Sequence, residues 1–362
     1  MLNSNSHKPR MKVIQSLQRG RYSASQGMRA TWYGLHYLWL KRSSNGVNRE
    51  GEPQFKPASP PPKAGAVRAA MLDLFKQDRT NVELGLYPAP DDVSIRNVFS
   101  ALRSSRLFLK DARIVDARRE RRDGREVKDR ISETEKYPAY YRQNFHYQTD
   151  GWFSEDSARL YDTQVEVLFS GAADAMRRMV LAEISKEIRN LKRPNANYVD
   201  IACGTGRFLK QVKQALPRVK ASGLDLSPAY CEHAREQVSR WPNVDIVQGQ
   251  AEATSFDDES FDIVSSIYLF HELPPKVRRE AAREAFRILR PGGLIVFGDA
   301  IQPGDNPNLD RMLEYFPEGF HEPYFKSYGR ENLDKLFEDV GFEIEASNLA
   351  FLTKIKCLRK PA

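Results

Sequence analysis

The chain has 362 residues, 41% of them hydrophobic, which suffices for one large core with an extension or for two modest domains. Its three cysteines, Cys203, Cys231 and Cys357, show neither a CxxC spacing nor a neighbouring histidine cluster, so we expect no disulfide framework, no metal site and a reducing compartment. The net charge of +8 lies almost entirely in residues 1–63, and because the remaining residues are nearly neutral, a nucleic-acid partner is not indicated.

Residues 1–63 have a composition of their own. Residues 1–40 contain no acid and several Ser and Arg, as do organelle transit peptides and disordered basic arms. The aromatic and Leu-rich segment 28–40 is shorter than the ~20 residues that span a bilayer, so it is expected to dock on the protein or to make a peripheral membrane contact. Residues 43–63 carry five prolines and are expected to be a linker. We predict a flexible basic arm in a cytoplasmic protein, with organelle targeting through residues 1–40 as the alternative; the oligomeric state is open.

Residues 64–153 are predicted to form a helical and aromatic extension that contributes to a substrate pocket. The apolar spacing between 64 and 115 fits helices that are broken around Pro88 and Pro90. Residues 137–153 interleave aromatic and histidine side chains with polar ones, a composition that can line a pocket. A second aromatic segment lies at 315–325. The substrate-site candidates from these two segments are Tyr141, His146, Tyr147, His321 and Tyr324.

Residues 154–362 are predicted to be an α/β domain. Helical spacing at 158–169 and 176–191 precedes an alternation of strands and helices, which is typical of a parallel sheet covered on both faces. The expected strands are 198–202, 220–225, 244–248, 261–267, 293–298, 342–348 and 349–358, and the expected helices are 207–216, 228–240, 276–289 and 330–340. The last two strands are too close in sequence for a parallel crossover. The prediction is therefore a doubly wound, mostly parallel seven-stranded sheet with a C-terminal antiparallel hairpin, preceded by a helical N-terminal extension.

A glycine-containing loop follows the first expected strand. Gly204 and Gly206 allow the backbone to approach a ligand closely, and a helix beginning near Arg207 offers free N–H groups to a carboxylate. A dinucleotide fingerprint would need Gly or Ala where Leu209 stands, and no Gly-Lys-Ser/Thr follows for a P-loop. NAD, FAD and a P-loop nucleotide are therefore not favoured.

Asp225 ends the second expected strand, at the edge where open α/β sheets bind ligands. Its two oxygens can accept hydrogen bonds from both hydroxyls of a ribose. The alternative is a helix cap, but Ser227 and Pro228 already supply a cap and a first turn. Ribose binding is therefore the favoured interpretation.

Five segments resemble, in order and spacing, the motifs of class I S-adenosylmethionine (SAM)-dependent methyltransferases: YVDIACGTGRF, GLDLSP, GQAEATSF, SFDIVSSIYLFHELP and ILRPGGLIVFGD. The resemblance covers residues 155–358 and is nearest to the group that includes quinone-biosynthesis C-methyltransferases and many small-molecule methyltransferases. It implies SAM as the cofactor. It also implies a set of cofactor-binding positions, which are Asp200, Ala202, Gly204, Thr205 and Gly206 around the methionine part, Asp225 at the ribose, Leu226, Gln250, Ala251 and Glu252 around the adenine, Ser266 and Ile267 near the sulfonium, and Tyr161 as a closing aromatic. Gln250 departs from the pattern, because the family usually has an acid there.

Methyl transfer from a sulfonium needs alignment and a water-poor pocket, but no nucleophilic side chain. A general base is needed only where the acceptor carries a proton, and His271 is the candidate, with a histidine that merely shapes the pocket as the alternative. We expect a small or lipid-like acceptor, possibly aromatic. One alternative is an RNA or protein methyltransferase, although Ser265-Ser266-Ile267-Tyr268 stands where many amino-group methyltransferases carry Asp/Asn-Pro-Pro-Tyr/Phe. The other is a SAM-binding protein without activity, for which Gln250 is the hint.

Overall fold

The structure, a computed structural model, describes residues 7–43, 55–90, 95–121, 124, 127 and 136–362. One seven-stranded sheet organises the described part of the chain. Its strands are β1 (Asn197–Ile201), β2 (Lys220–Asp225), β3 (Val244–Gln248), β4 (Phe261–Ile267), β5 (Leu289–Ala300), β6 (Glu343–Ala350) and β7 (Thr353–Arg359). Their order is β3-β2-β1-β4-β5-β7-β6, and β7 alone among them runs antiparallel to its neighbours. The predicted fold class is confirmed.

The helices within the described residues are α1 (His7–Ser43), α2 (Ala66–Glu83), α3 (Ile95–Arg121), α4 (Glu155–Leu168), α5 (Ala173–Leu191), α6 (Arg207–Ala215), α7 (Pro228–Val238), α8 (Pro275–Ile288), α9 (Asp310–Gly319), α10 (Phe325–Tyr328) and α11 (Leu333–Glu338). Short 3₁₀ turns lie at Phe145–Tyr147 and Phe270–Glu272.

Two of the boundaries that differ from the sequence prediction have a clear local cause. The hairpin turns at Phe351 and Leu352, two residues later than expected, because Ala350 still pairs with Thr353 and Phe351 takes the turn conformation with φ of 57°. The helix expected at 330–340 begins only at Leu333, where the Asn332 side chain accepts a hydrogen bond from the backbone N–H of Lys335 and caps it.

The sheet is covered on both faces. Side chains alternate between the faces along each strand, so Tyr198 and Ile263 pack with α5, α6 and α7, whereas Val199 and Val264 pack with α8 and α11. Strand β4 is buried almost throughout because it lies between β1 and β5 and has helices on both sides. Burial on both faces explains why the strand sequences are almost continuously apolar.

Residues 7–43 form α1 in the structure, where the sequence predicts a flexible arm. Arg29 on α1 is buried and forms ion pairs with Glu166 of α4 (2.6 Å) and Asp174 of α5 (2.8 Å). Tyr22 donates a hydrogen bond to the buried Asp78 of α2. Apolar periodicity does not reveal this helix because polar contacts attach it to the rest of the protein.

Residues 28–40 dock on the protein with one face. Tyr33, Trp39 and Leu40 pack beside Phe108 of α3, whereas Leu35 is 60% exposed. No helix in the described ranges combines the length and the apolar character that a membrane span requires. The peripheral membrane contact stays a prediction. The expected linker falls partly outside the described residues; in its described part, the backbone N–H groups of Ala58 and Ser59 donate to Glu314 on α9.

Candidate cofactor and acceptor site

A cavity opens beyond the carboxyl ends of β1, β2 and β4, where the sheet order reverses direction between β1 and β4. The cavity and the open space at its mouth together have a volume of about 780 Å³. Its lining comes from both the sheet edge and the aromatic segment that precedes α4. This is the place where open α/β sheets bind ligands.

Asp225 connects the two loops at the floor of this cavity. Its Oδ2 accepts a hydrogen bond from the backbone N–H of Gly204 (2.8 Å), and its Oδ1 accepts one from Ser227 (2.9 Å). Burial raises the pKa of the Asp225 carboxyl to about 6, although these backbone donors oppose the shift. Both oxygens keep a further lone pair, so the carboxylate can also accept from two hydroxyl groups of a ligand.

The two glycines of the loop have different roles. Both have positive φ, 55° at Gly204 and 76° at Gly206, which favours glycine. A Cβ on Gly204 would meet nothing within 4 Å, because this residue lines the cavity. A Cβ on Gly206 would lie 2.9 Å from Cα and Cβ of Ala234, so Gly206 allows the loop to pass closely over α7. Gly204 leaves space for a ligand, and Gly206 serves packing.

The structure separates the predicted cofactor residues into two groups. The cavity lining includes Tyr161, Ala202, Gly204, Asp225, Leu226, Ala251 and Ile267. The predicted residues that it does not include are Asp200, Thr205, Gly206, Gln250, Glu252 and Ser266.

Several residues of the second group support the lining from behind. The buried carboxylate of Asp200 accepts a hydrogen bond from Ser265 Oγ (2.6 Å), and burial raises its pKa to about 7. Thr205 Oγ1 donates to Asp162 on α4 (2.9 Å), which ties the loop to that helix. Glu252 accepts from the hydroxyl of Tyr140 (2.6 Å), a residue of the lining.

The other three residues of that group belong to the backbone framework. Gln250 forms an isolated bridge with Ala253 after β3, and Ser266 is buried in β4. Gly206 packs against α7 as described above.

Aromatic side chains form one wall of the cavity. The cavity is lined there by Tyr140, Tyr141, Phe145, Trp152, Tyr161 and Tyr230. Trp152 contacts Tyr161 and Tyr230 edge to face, with ring centroids 5.4 and 5.5 Å apart. Ser227, the N-cap of α7, donates its hydroxyl hydrogen bond to the carbonyl of Trp152. The wall is therefore fixed to the loop that carries Asp225.

The other predicted substrate residues lie behind this wall. Tyr141 lines the cavity, but His146, Tyr147, His321 and Tyr324 do not. Gln143 links two of them, because its Oε1 lies 2.8 Å from Nε2 of His321 and its Nε2 donates to the Tyr324 hydroxyl (3.1 Å). The Tyr147 and His321 rings are 5.7 Å apart. These residues pack the aromatic segment against residues 321–324.

His271 lies in the turn after β4, behind the cavity lining. Its Nδ1 is 2.5 Å from Oδ1 of Asp299, and Oδ2 of the same carboxylate accepts from the Phe270 backbone N–H (2.7 Å). Burial lowers the pKa of His271, but the Asp299 carboxylate outweighs it and raises the pKa to about 9. The adjacent Glu272 lines the cavity instead. The role of His271 as a base stays a prediction.

Sequence reasoning missed a cluster formed by His146, Glu272 and Glu322. One ligand atom from each lies within 4.8 Å of the other two. Burial and the neighbouring Glu322 raise the pKa of Glu272 to about 8. For His146, burial lowers the pKa, but the Glu322 carboxylate outweighs it and raises the pKa. No local pattern could have revealed this cluster, because its members come from three distant segments.

Part of the chain is similar to known methyltransferases. Residues 199–293 match a family model described as a methyltransferase domain. A demethylmenaquinone methyltransferase of Staphylococcus aureus is 28% identical over 169 residues, which cover 41% of this chain and 69% of that protein. Among solved structures, a putative methyltransferase from Bacillus halodurans aligns with a TM-score of 0.40 at 21% identity, covering 50% of this chain and all of the other. A [4+2]-cyclase aligns with a TM-score of 0.41 at 16% identity, covering 52% of this chain and 82% of the other.

The chain is a class I SAM-dependent methyltransferase, as its motifs predict. Its cofactor is SAM, and the cavity fits that molecule. Asp225 offers two acceptor oxygens for a ribose, Leu226 and Ala251 offer apolar surface, and the open space at Gly204 admits a ligand. The acceptor of the methyl group is a separate question.

Proposed function

We propose that the protein transfers the methyl group of SAM to a small, flat aromatic acceptor of the quinol or phenol type. The observation that carries this proposal is the aromatic wall that lines the same cavity as the glycine loop. Tyr140, Tyr141, Phe145 and Trp152 offer ring faces and edges on which a planar ring can stack. The name of the Staphylococcus aureus relative, a demethylmenaquinone methyltransferase, supports a quinone-like acceptor.

In this proposal the chain binds and aligns both reactants. Asp225 holds the ribose, Leu226 and Ala251 flank the adenine, and Gly204 leaves room for the methionine part. SAM supplies a methyl group on a positively charged sulfur. The acceptor atom attacks the methyl carbon, the carbon–sulfur bond breaks with its electron pair on sulfur, and the proton of the acceptor leaves to water at the cavity mouth. The aromatic wall contributes alignment and a water-poor environment.

The polar end of the acceptor is placed against Glu272. This carboxylate lines the cavity, whereas His271 is held behind it by Asp299. The substitution His271→Asn tests the alternative in which His271 removes the proton, because a general base contributes about 10²–10⁴-fold to the rate. A smaller loss of kcat, with unchanged SAM affinity, fits a positioning residue.

Purified full-length protein and methyl-labelled SAM provide the test of the acceptor. We expect labelled product from demethylated quinols or substituted phenols and none from RNA or peptides. The substitution Tyr140→Leu should raise KM for the acceptor more than it raises the Kd for SAM, because the Tyr140 hydroxyl also bonds to Glu252. Tyr37→Leu, on the outer face of α1, should change neither. Labelled RNA or peptide, or SAM binding without product from any aromatic compound, contradicts the proposal and favours the macromolecular or the inactive alternative.

A further inference from the structure

The geometry points to a divalent-cation site formed by His146, Glu272 and Glu322 at the edge of the cofactor cavity. We propose that it takes a first-row ion such as Mn²⁺ or Zn²⁺. The binding of the ion stands on these three residues alone. Its role in catalysis, described below, rests on the proposed function.

The principal observation is a buried carboxylate without adequate partners. The side chain of Glu322 has no exposed surface. Apart from Nε2 of His146, no group in the described part of the chain donates to either of its oxygens. Leaving a buried carboxylate without hydrogen bonds is costly, so buried charges are normally paired or bound to a metal. A cation between Glu322, His146 and Glu272 removes this cost.

The donor set suits such an ion. One imidazole and two carboxylates are ligands that Zn²⁺ and Mn²⁺ accept, and three protein ligands leave coordination positions open. Nε2 of His146 lies 3.8 Å from Oε1 of Glu272 and in direct contact with Glu322. With two carboxylates and a neutral imidazole, a divalent ion also makes the cluster electrically neutral.

The groups around the cluster are either aromatic rings or charged side chains that are bound elsewhere. The Trp152, Phe316 and Phe320 rings surround His146, with centroids 6.1, 6.2 and 6.0 Å from the imidazole. The guanidinium of Arg278 does not bond to the cluster, because it donates to the Phe270 and Tyr324 carbonyls, Ser327 and Glu331. His271 faces Glu272 at 3.9 Å but is bound to Asp299.

Backbone bonds hold the three ligand segments together before any ion binds. The N–H of His146 donates to the carbonyl of His321 (3.2 Å), next to Glu322. The Phe270 N–H donates to Asp299 and fixes the turn that carries Glu272. His146 has a φ of 57°, an uncommon conformation for a residue other than glycine that tends to occur at functional sites. The ligands therefore converge from three separately fixed segments.

The position of the cluster suggests what the ion does. Glu272 belongs to the cavity lining, so an ion beside it can present an open coordination position to the acceptor. Coordination of a phenol or quinol oxygen lowers the pKa of its hydroxyl, so the proton leaves to water and the acceptor becomes a better nucleophile.

The test measures ion binding directly. Full-length protein is treated with EDTA, exchanged into metal-free buffer and titrated with Mn²⁺, with free ion followed by electron paramagnetic resonance, and with Zn²⁺ by calorimetry. We expect one ion per chain for the wild type and for Glu338→Gln, an exposed control. Glu322→Gln and His146→Gln should each weaken binding at least tenfold. Thermal unfolding gives a second readout, because the ion should raise the Tm of the wild type but not of these two variants.

Two results overturn the proposal: no binding of either ion to the wild type, or binding that neither substitution weakens. Methyl transfer is assayed separately with and without EDTA. Ion binding without methyl transfer to any aromatic acceptor refutes the proposed function alone. Methyl transfer that survives EDTA, in a protein that binds no ion, refutes the cation site alone.

Discussion

The substitution Asp225→Asn removes one acceptor oxygen and the negative charge while keeping the size of the side chain. In the wild type, each carboxylate oxygen accepts a backbone N–H, from Gly204 at 2.8 Å and from Ser227 at 2.9 Å. The amide can satisfy only one of these donors and offers one oxygen to the ribose instead of two. Loss of one hydrogen bond to a charged group costs about 1.5–3 kcal/mol, so we expect the Kd for SAM to rise roughly 10- to 150-fold.

Isothermal titration calorimetry at pH 7.5 measures this change. The matched control is Asp257→Asn, because Asp257 is exposed on the loop before β4. Its Kd should stay within a factor of about two of the wild type, since substitutions on the open surface have small effects. An Asp225→Asn Kd within threefold of wild type, in protein with an unchanged Tm, would refute ribose binding by Asp225.

Three further predictions follow from the same geometry. SAM affinity should fall as the pH falls through about 6, because burial raises the pKa of Asp225 to about 6 and the protonated carboxyl loses acceptor capacity. Calorimetry from pH 5 to 8 should show this dependence, and Asp225→Asn should reduce it. Gly206→Ala should lower the free energy of unfolding by about 2–4 kcal/mol, because the position has a positive φ and its new Cβ would clash with α7. Gly204→Ala should lower it by only about 1–2 kcal/mol but should weaken SAM binding. Urea unfolding measures the first effect and calorimetry the second, and equal stabilities of the two variants would contradict this reasoning. Arg29→Ala should cost about 3 kcal/mol and expose α1 to proteolysis, because Glu166 then keeps only a distant ion pair with Arg177 at 3.9 Å. Arg19→Ala breaks an exposed pair with Glu83 and should leave the stability nearly unchanged; similar losses for both would argue against docking of α1 through Arg29.

The sheet could be predicted because its signals are local. Each strand is an apolar run between turn residues, and the crossover helices have apolar faces of their own, so sequence spacing predicts the seven strands and their alternation with helices. Helix α1 lacks such a signal. It is attached through Tyr22 and Arg29, whose partners Asp78 and Glu166 lie in other helices, and only the folded chain brings these charges together.

The residues of the site also differ in whether the sequence alone could predict them. Asp225 and the glycine loop are recognisable because Asp225 ends β2, the loop directly follows β1, and parallel strands end at one edge of the sheet. The different roles of Gly204 and Gly206 could not be predicted, because Gly206 packs against Ala234, which lies in α7. Glu272 adjoins the predicted His271, yet which of the two reaches the cavity depends on Asp299 in β5. Contacts across the fold decide these roles.

The cavity therefore combines a part set by the sheet with a part set by the preceding extension. The reversal of strand order between β1 and β4 opens a crevice at the carboxyl edge, and Gly204 and Asp225 border it in a way that follows from topology. Tyr140 and Trp152 come from the segment before α4 and pack across this crevice. Since Ser227 bonds to the Trp152 carbonyl, the position of the aromatic wall depends on the loop that carries Asp225. Under the proposed function, the sheet determines where the cofactor binds, and residues outside the sheet select the acceptor ring.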